Sequence, residues 1–305
     1  MKVFVFGGAG FIGRRVVRRL AVLGHEVFSL DVVGGSFFDD LGTQVKSLRT
    51  DLTQFEDVIA VMATHQPERV INLSYMRENL PRPAMKLNVL GMDNCFEAAR
   101  LCEVPHVVYS SSIAVNGSQQ PYGLRPVKES DPPSPMKQYS VHKVFNEWQA
   151  KEYREKHGMV ITGVRAAHVA GTDKLIGSVD HVACIVEPAL GRALTLDYRD
   201  RMRCVIHGDD AAEVFVQLTL AERPRHAIYN TGGETLSLGE LATMVQRVIP
   251  QAAIRFEHET GGEAKSGAYL FDTERLVGEF GIRYAPYAER LPSMIEAVRR
   301  GHAAG

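Results

Sequence analysis

The sequence predicts an α/β fold built on a doubly wound parallel sheet, and two observations support this prediction. Short apolar runs rich in β-branched and aromatic residues alternate with segments whose apolar residues recur every three or four positions. A glycine-rich turn joins the first apolar run to the first helical segment. Parallel strands need crossover connections, and the helices in those connections cover both faces of the sheet. The alternation therefore predicts one large sheet between two layers of helices.

The first 166 residues hold the regular part of this alternation. Strands are predicted at 3–6, 26–30, 45–48, 70–73, 106–109 and 160–164. Helices are predicted at about 11–23, 54–64, 84–102 and 138–157.

After about residue 166 the pattern is less regular. Helices are predicted near 180–190, 238–249 and 291–300, with one more opening at Asp209, and short strands near 194–197 and 227–230. We predict a larger domain at 1–165 with returning segments near 204–230. Residues 166–203 and 231–305 are predicted to form a smaller C-terminal lobe.

The composition favours a globular protein that acts on a small molecule. Hydrophobic residues make up 45% of the 305 residues, which is enough for a large core. A net charge of −1 at pH 7 disfavours nucleic acid as a partner. No run approaches the roughly 18 to 20 apolar residues of a membrane span, so we expect a cytoplasmic protein. The cysteines show no C-x-x-C spacing, and we expect packing roles for all four: Cys95, Cys102, Cys184 and Cys204.

The glycine-rich turn predicts a dinucleotide cofactor. Gly7, Gly10 and Gly13 are spaced three apart between the first strand and the first helix, and Phe11 and Ile12 stand between them. Such glycines allow a tight turn and a close approach of the backbone to a pyrophosphate, whose charge the helix N-terminus favours. An ordinary glycine-rich connection is the alternative. The larger domain is thus predicted to bind the cofactor, and the smaller lobe the substrate.

Carboxylates at strand ends favour NAD over NADP. Asp31 ends the second strand, where it can accept hydrogen bonds from the adenosine ribose and repel a 2′-phosphate; the alternative is a solvated turn residue. Ligands gather at the carboxyl ends of parallel strands. We therefore also expect two further pairs of residues beside the cofactor: Asp51 and Leu52 after the third strand, and Leu73 and Ser74 after the fourth.

A second group of residues predicts proton transfer to or from an alcohol. Tyr139 and Lys143 are four residues apart on a predicted helix, so they lie on one face. An ammonium close to a phenol favours the phenolate, which can act as a general base. Ser112 follows the fifth strand and is placed to hold the substrate oxygen. The Tyr-x-x-x-Lys spacing is weak alone, but together with the glycine turn it predicts redox chemistry on an alcohol or ketone.

Taken together, the chain resembles the extended short-chain dehydrogenase/reductase family, the NAD-dependent epimerase/dehydratase group, over nearly its whole length. Five segments occur in the family's order: Gly7-x-x-Gly10-x-x-Gly13, Asn88-Val89-Leu90-Gly91, Val108-Tyr109-Ser110-Ser111-Ser112-Ile113-Ala114-Val115-Asn116-Gly117, Tyr139-Ser140-Val141-His142-Lys143, and Arg203 followed by Asp209-Asp210. The resemblance implies a Rossmann-type fold. It also implies a homodimer formed through the helices near 84–102 and 138–157.

The resemblance assigns roles to individual residues. It implies that Tyr139 is the acid or base, that Lys143 is its electrostatic partner and binds the nicotinamide ribose, and that Ser112 orients the substrate. It further implies that Asn88 supports the active-site geometry. A buried helix asparagine with a local hydrogen bond is the alternative for Asn88.

Departures from the family's patterns narrow the range of reactions that we expect of this chain. Ile113 and Ala114 stand where the dehydratases have an acidic pair, which disfavours elimination. Asn116 and His168 replace residues typical of nucleotide-sugar epimerases. Arg203 matches an arginine that grips a diphosphate, but its surroundings differ; it could hold a diphosphate, hold another anion, or pair with Asp209 or Asp210. The histidines His168, His181 and His207 lack metal-ligand spacing, and no metal is predicted.

We therefore expect an NAD-dependent oxidoreductase acting on a sugar-like or other small secondary alcohol or ketone. A nucleotide-sugar 4-epimerase of the UDP-glucose type, with tightly bound NAD, is the first alternative. A non-catalytic NAD-binding sensor is the second. The candidate substrate-lining positions are Met76, Arg77, Asn116, His168, Arg203 and residues 172–182.

Overall fold

A computed structural model describes residues 1–76, 80–174 and 179–303. Its strands are β1 (Lys2–Phe6), β2 (Glu26–Asp31), β3 (Val45–Arg49), β4 (Arg69–Asn72), β5 (His106–Ser112), β6 (Ile161–Ala166), β7 (His168–Ala170), β8 (Leu194–Tyr198), β9 (Met202–His207), β10 (Ile228–Asn230), β11 (Glu234–Ser237) and β12 (Ile254–His258). Its α-helices are α1 (Phe11–Val22), α2 (Phe55–His65), α3 (Pro81–Met85), α4 (Met92–Leu101), α5 (Gln138–His157), α6 (Asp180–Ala189), α7 (Gly208–Leu220), α8 (Leu238–Val248), α9 (Glu274–Phe280) and α10 (Tyr287–Ala303).

The main sheet has seven parallel strands in the order β3, β2, β1, β4, β5, β6, β10. The chain builds outward from β1 to β3, then returns to the other side of β1 and continues outward from β4. The strand order therefore reverses between β1 and β4. In sheets of this kind, ligands bind in the crevice outside the carboxyl ends of the strands at that point.

Helices cover both faces of the sheet, as the sequence predicts. Val3 and Val5 point from β1 into a core cluster formed with α1 and α7. Phe4 and Phe6 alternate with them and pack into the cluster formed with α2, α4 and α5. Because side chains alternate along a strand, the continuous apolar run of β1 supplies both cores. The predicted doubly wound α/β fold is confirmed.

The second half of the chain adds two small sheets, of which the sequence predicted only parts. β7, β9 and β11 form one, and β8 pairs with β12 in the other. β7, β9, β11 and β12, together with helix α9, were not predicted, because segments of three to seven residues carry little periodicity. The division into a cofactor domain and a substrate lobe stays a prediction.

The helix predicted at 84–102 differs in its first half. Its path begins at Pro81 with α3, passes through a π-helical turn at Lys86–Gly91, and continues as α4. Such π-turns often mark functional sites. Across the described ranges, which omit 77–79, 175–178 and 304–305, no helix combines the length and apolarity that a membrane span needs.

The first turn of α1 lies unusually close to the end of β1. A Cβ atom added at Gly13 would lie 2.0 Å from the carbonyl oxygen of Gly7, far inside van der Waals contact. The helix can therefore pack onto the turn only because Gly13 has no side chain.

We expect the substitution Gly13→Ala to lower the free energy of unfolding by about 1–3 kcal/mol, because the helix or the turn must move to admit the methyl group. Urea denaturation followed by circular dichroism measures this. Gly278→Ala is the matched control: it lies in α9, an added Cβ there meets no atom within 4 Å, and alanine favours a helix by up to about 1 kcal/mol. Equal stabilities of the two variants would contradict the packing argument.

Candidate active site

The turn after β1 is shaped to receive a ligand at the carboxyl edge of the sheet. Gly7 has a φ of +74°, which favours glycine, and its N–H donates to the Leu30 carbonyl of β2 at 2.9 Å. A Cβ added at Gly7 would lie 2.9 Å from the Ser74 nitrogen, and the Gly10 N–H donates to the Gly7 carbonyl at 3.0 Å. The turn thus presents bare backbone and the N-terminus of α1 to the crevice. These features fit the pyrophosphate of a dinucleotide.

Two carboxylates lie at neighbouring strand ends. Asp31 accepts hydrogen bonds from the backbone N–H groups of Ala9 at 3.2 Å and Val33 at 3.1 Å, which hold it beside the glycine turn. Asp51 accepts from the Thr53 N–H and hydroxyl at 2.9 and 2.8 Å. Burial raises the pKa of Asp51, but these hydrogen bonds outweigh it, so the pKa lies below its usual value. Leu52 beside it is a buried core residue.

Phe11 and Ile12 turn their side chains away from the crevice. The Phe11 ring lies against Gly171 and Gly208: a Cβ added at Gly171 would be 2.6 Å from the ring, and one at Gly208 would be 3.2 Å from it. Ile12 packs into the core. Only the backbone of these two residues is therefore placed to face a cofactor.

Two arginines of the same helix are held by carboxylates. Arg14 contacts Asp173 at 3.0 Å. Arg15 contacts Asp173 at 2.7 Å and Asp209 at 3.1 Å, and its guanidinium lies 4.4 Å from the centre of the Phe11 ring. These ion pairs tie α1 to the loop after β7 and to the start of α7.

The loop after β4 is fixed by side-chain amides. The Leu73 N–H donates to the Phe6 carbonyl at 2.9 Å, and the Ser74 N–H donates to Asn72 Oδ1 at 3.0 Å. Asn88, in the π-turn, accepts from the Met76 N–H at 2.9 Å and donates to the Met76 carbonyl at 3.2 Å. Its partner is twelve residues away, so the alternative of a local hydrogen bond is wrong. Asn88 anchors the loop that leads out of the crevice.

Tyr139 and Lys143 lie on α5 against the end of β5. Lys143 is 2% exposed, and its Nζ donates to the Ser110 carbonyl at 2.6 Å. The same Nζ is 5.7 Å from the centre of the Tyr139 ring. Burial lowers the pKa of Lys143 to about 8, partly offset by the Glu147 carboxylate. Ser112 ends β5 and is buried, and its hydroxyl accepts from the Ala114 N–H at 3.2 Å.

Tyr75 contacts Tyr139, and the sequence analysis did not identify Tyr75 as a site residue. Its ring centre is 4.9 Å from that of Tyr139, and the two planes meet edge to face at 68°. This ring therefore packs directly against the candidate acid or base. No periodicity or motif distinguishes a single aromatic residue in a loop, and only the fold brings Tyr75 and Tyr139 together.

Two candidate substrate residues lie in different surroundings. Asn116 is fully buried at the end of the short 3₁₀ turn after β5, and neither of its amide atoms has a hydrogen-bond partner among the described residues. His168, in β7, contacts the Cys204 carbonyl through Nδ1 at 3.1 Å. Burial, and then the Arg203 charge, hold the pKa of His168 well below its usual value, which favours a neutral imidazole.

Arg203 is engaged by a carboxylate that the sequence analysis did not name. Its Nε donates to Asp180 Oδ1 at 3.1 Å, its Nη2 donates to Asp180 Oδ2, and its Nη1 donates to the Met202 carbonyl at 3.0 Å. Of the three alternatives for Arg203, the pairing with Asp209 or Asp210 is wrong. Those residues bind Arg15 and Arg290 instead.

The ion pair of Arg203 is buried. Both side chains are less than one fifth exposed. Burial raises the pKa of Asp180, but the hydrogen bonds from His181 and Arg203 outweigh it, so the pKa lies well below its usual value. Asp180 is therefore ionised and fully engaged at the start of α6.

A family comparison agrees with this geometry. A model of the NAD-dependent epimerase/dehydratase family matches residues 3–232, about three quarters of the chain. The chain belongs to this family. The matched region contains the glycine turn, Tyr139, Lys143 and Arg203. The predicted resemblance to the extended short-chain dehydrogenases/reductases is confirmed.

Two relatives within the epimerase/dehydratase family show how far the similarity extends. Protein CapI of Staphylococcus aureus is 29% identical over 187 residues, which cover 56% of this chain and 55% of that protein. The UDP-glucose 4-epimerase of Mycolicibacterium smegmatis is 28% identical over 230 residues, which cover 71% and 72%. The match thus spans little more than half of the first relative.

Two solved structures share the fold of this epimerase/dehydratase family member. A UDP-glucose 4-epimerase of Thermus thermophilus in complex with NAD has a TM-score of 0.85 at 22% identity, covering 98% of this chain and 99% of that one. A partial consensus L-threonine 3-dehydrogenase has a TM-score of 0.87 at 21% identity, covering 98% and 100%. At these identities the likeness shows the fold alone. Of these two proteins with the same fold, one is named as an epimerase and the other as a dehydrogenase.

Part of the predicted substrate lining of this family member lies outside the described residues, namely Arg77 and residues 175–178. Within 1–76, 80–174 and 179–303, no three His, Cys, Asp or Glu side chains form a group that could hold a metal ion. The candidate site is therefore built from the glycine turn, the loop after β4, the end of β5 and helix α5.

Proposed function

We propose that this protein is an NAD-dependent oxidoreductase that moves hydride between nicotinamide and a secondary carbinol carbon. The observation that carries the proposal is Lys143, an almost fully buried amine held by the Ser110 carbonyl one helical turn from Tyr139. Burying a charged amine is costly unless it is paired or hydrogen-bonded. Perturbed groups of this kind cluster at functional sites. Membership of a family that is named for NAD supports the same reaction class.

In the proposed mechanism, Tyr139 holds and moves the proton of the substrate hydroxyl. During oxidation its phenolate oxygen takes that proton, and during reduction its phenol returns it. Ser112 donates a hydrogen bond to the substrate oxygen and orients it. The ammonium of Lys143 stabilises the phenolate. The bound cofactor supplies the acceptor or donor of the hydride.

We propose NAD rather than NADP as the cofactor. Asp31 is held beside the glycine turn by two backbone N–H groups and keeps lone pairs for ribose hydroxyls. A 2′-phosphate placed there would meet this negative charge. The neighbouring cations, Arg14 and Arg15, are already paired with Asp173, so they offer little to such a phosphate.

Net dehydrogenation or reduction is our first choice, because of Arg203. In a nucleotide-sugar enzyme this arginine would be free to grip the diphosphate. Here Nε and Nη2 of its guanidinium donate to Asp180, and Nη1 donates to the Met202 carbonyl. A diphosphate would have to displace that carboxylate and would leave it buried without its partner, which is costly. This supports a substrate without a nucleotide diphosphate.

A UDP-sugar 4-epimerase is the second candidate, and the named relatives favour it. In that reaction Tyr139 would take the hydroxyl proton and return it after the ketone has rotated in the pocket. The reduced nicotinamide would return its hydride within each cycle, so NAD would stay bound to the protein.

We further propose a homodimer formed by α5 and the helical segment at 84–102. Val141, Phe145 and Trp148 lie one helical turn apart on α5 and are each 43–53% exposed. Leu90 and Leu101 are similarly exposed on the neighbouring segment. A row of large apolar side chains on a surface helix is typical of an interface between protein chains.

We expect the substitution Tyr139→Phe to reduce turnover at least about a hundredfold, because the phenylalanine ring has no group to accept or return the proton. Formation of NADH across a panel of secondary alcohols measures this. Tyr122→Phe is the control, since the Tyr122 hydroxyl makes a long 3.5 Å contact with the Pro132 carbonyl, and the Arg125 guanidinium over its ring would meet a phenylalanine ring as well. Near-normal turnover of the Tyr139→Phe variant would refute the proposed role.

The cofactor content of the purified protein separates the two candidate functions. We expect a site that gains and loses NAD reversibly, because a net dehydrogenase must exchange its cofactor in every cycle. Protein purified without added cofactor is denatured, and the released nucleotide is identified by chromatography and mass. Near-stoichiometric retained NAD would instead favour the epimerase.

We expect Phe145→Glu to convert a dimer into monomers, because the new charges would face each other across the apolar interface. Sedimentation velocity measures the mass. Leu124→Glu is the control, since Leu124 is 86% exposed and belongs to neither helical segment. A wild-type monomer, or a dimer that persists in the Phe145→Glu variant, would contradict this interface.

A further inference from the structure

Glu147 lies one turn beyond Lys143 on α5 and connects the helix to two strands. Its Oε1 accepts a hydrogen bond from the Ser111 hydroxyl of β5 at 2.6 Å. It also accepts two parallel bonds from Arg165 of β6, one from Nε to Oε1 and one from Nη2 to Oε2, both at 2.8 Å. This carboxylate therefore joins three neighbouring elements at the candidate site.

The contact between Glu147 and Arg165 is buried. The two side chains are 12% and 4% exposed, and Arg165 also donates to the Glu129 carbonyl at 3.4 Å. Two-pronged pairs of this kind fix geometry as well as charge. A carboxylate held in this way has one orientation, and α5 is held at one height along β5 and β6.

Glu147 and Lys143 contact consecutive residues at the end of β5. Glu147 holds the side chain of Ser111, and the preceding carbonyl, that of Ser110, accepts the bond from Lys143 Nζ. The next residue, Ser112, is the proposed substrate-orienting hydroxyl. One carboxylate thus places the amine on α5 and the serines of β5 relative to each other.

The charges around Lys143 alternate in sign. On its own helix, Glu147 is the negative group and the Tyr139 phenol lies on the other side. Arg165 from β6 binds Glu147, and the buried Tyr109 phenol of β5 lies near the same carboxylate. From the loop after β4, the Tyr75 ring packs against Tyr139. Burial disfavours the ammonium form of Lys143, and Glu147 is the group that opposes this effect.

We propose that Glu147 is a positioning residue that keeps Lys143 in its ammonium form and fixes the Ser110–Ser112 strand end against it. The inference rests on the proposed function, in which that ammonium stabilises the Tyr139 phenolate. Glu147 touches neither substrate nor cofactor in this role. It acts through Lys143 and through the serines of β5.

The test is a pH titration of Lys143 itself in the full-length protein as purified, with no substrate added. The ¹³Cε resonance of labelled lysine reports the protonation state, and the Lys143 signal is the one that disappears in Lys143→Met. We expect a wild-type midpoint of about 8, which reflects burial partly offset by the Glu147 charge. In Glu147→Gln, which keeps the shape and removes the charge, we expect the midpoint to fall by roughly one pH unit.

Two further variants complete the test. Glu152→Gln is the matched control, because Glu152 lies on the same helix and pairs with Lys156 at the surface, so its loss should leave the midpoint unchanged. Glu147→Asp keeps the charge on a shorter side chain and should restore part of the shift. If Glu147→Gln does not fold, a smaller downward shift in Glu147→Asp still supports the proposal.

An unchanged Lys143 midpoint in the Glu147 variant that folds would overturn the proposal. This result is distinct from failure of the proposed function. Normal turnover of Tyr139→Phe would refute the proposed function even if Lys143 titrates as expected. Conversely, a strong loss in Tyr139→Phe with an unmoved Lys143 midpoint would refute only the role of Glu147.

Discussion

The contact between Gly13 and the Gly7 carbonyl sets the distance between helix α1 and strand β1. Because no side chain separates them, the N-terminus of α1 comes to the point where the strand order reverses. The loop after β4 then packs against Gly7, and the end of β5 lies beside that loop. The candidate cofactor site and the candidate catalytic residues thus share one edge because one helix lies unusually close to one turn.

Most of the main sheet could be predicted from the sequence, because its inner strands are buried on both faces and contain continuous apolar runs. Strand β1 and helix α5 match their predicted ranges to within a residue. The small strand β7 could not be predicted, since three residues have no measurable period. The π-turn at Lys86–Gly91 was hidden for another reason: one extra residue per turn barely changes a helical pattern.

The candidate site was predictable where its residues are neighbours in sequence. Tyr139 and Lys143 share a helix face by spacing alone, and the glycine turn is a local pattern. The contacts that adjust the site join residues distant in the chain: Asp180 with Arg203, and Glu147 with Arg165. The sequence contains many carboxylates that could form an ion pair with either arginine. Only the folded structure shows which carboxylate lies beside each one. For Arg203, the carboxylates named among the three sequence-based alternatives are therefore not the ones that it contacts.

The Phe11 ring has a consequence for how this protein can change. A Cβ added at Gly171 would lie 2.6 Å from the ring, so this glycine can gain a methyl group only if the ring moves. At Gly208 the nearer obstacle is Arg15 Nε at 2.8 Å, with the ring at 3.2 Å. A smaller residue at position 11 would open the space at Gly171. Substitutions at positions 11 and 171 are therefore non-additive: a change that is harmful alone becomes tolerable after the other. Any redesign of the turn must treat positions 11 and 171 as a single unit.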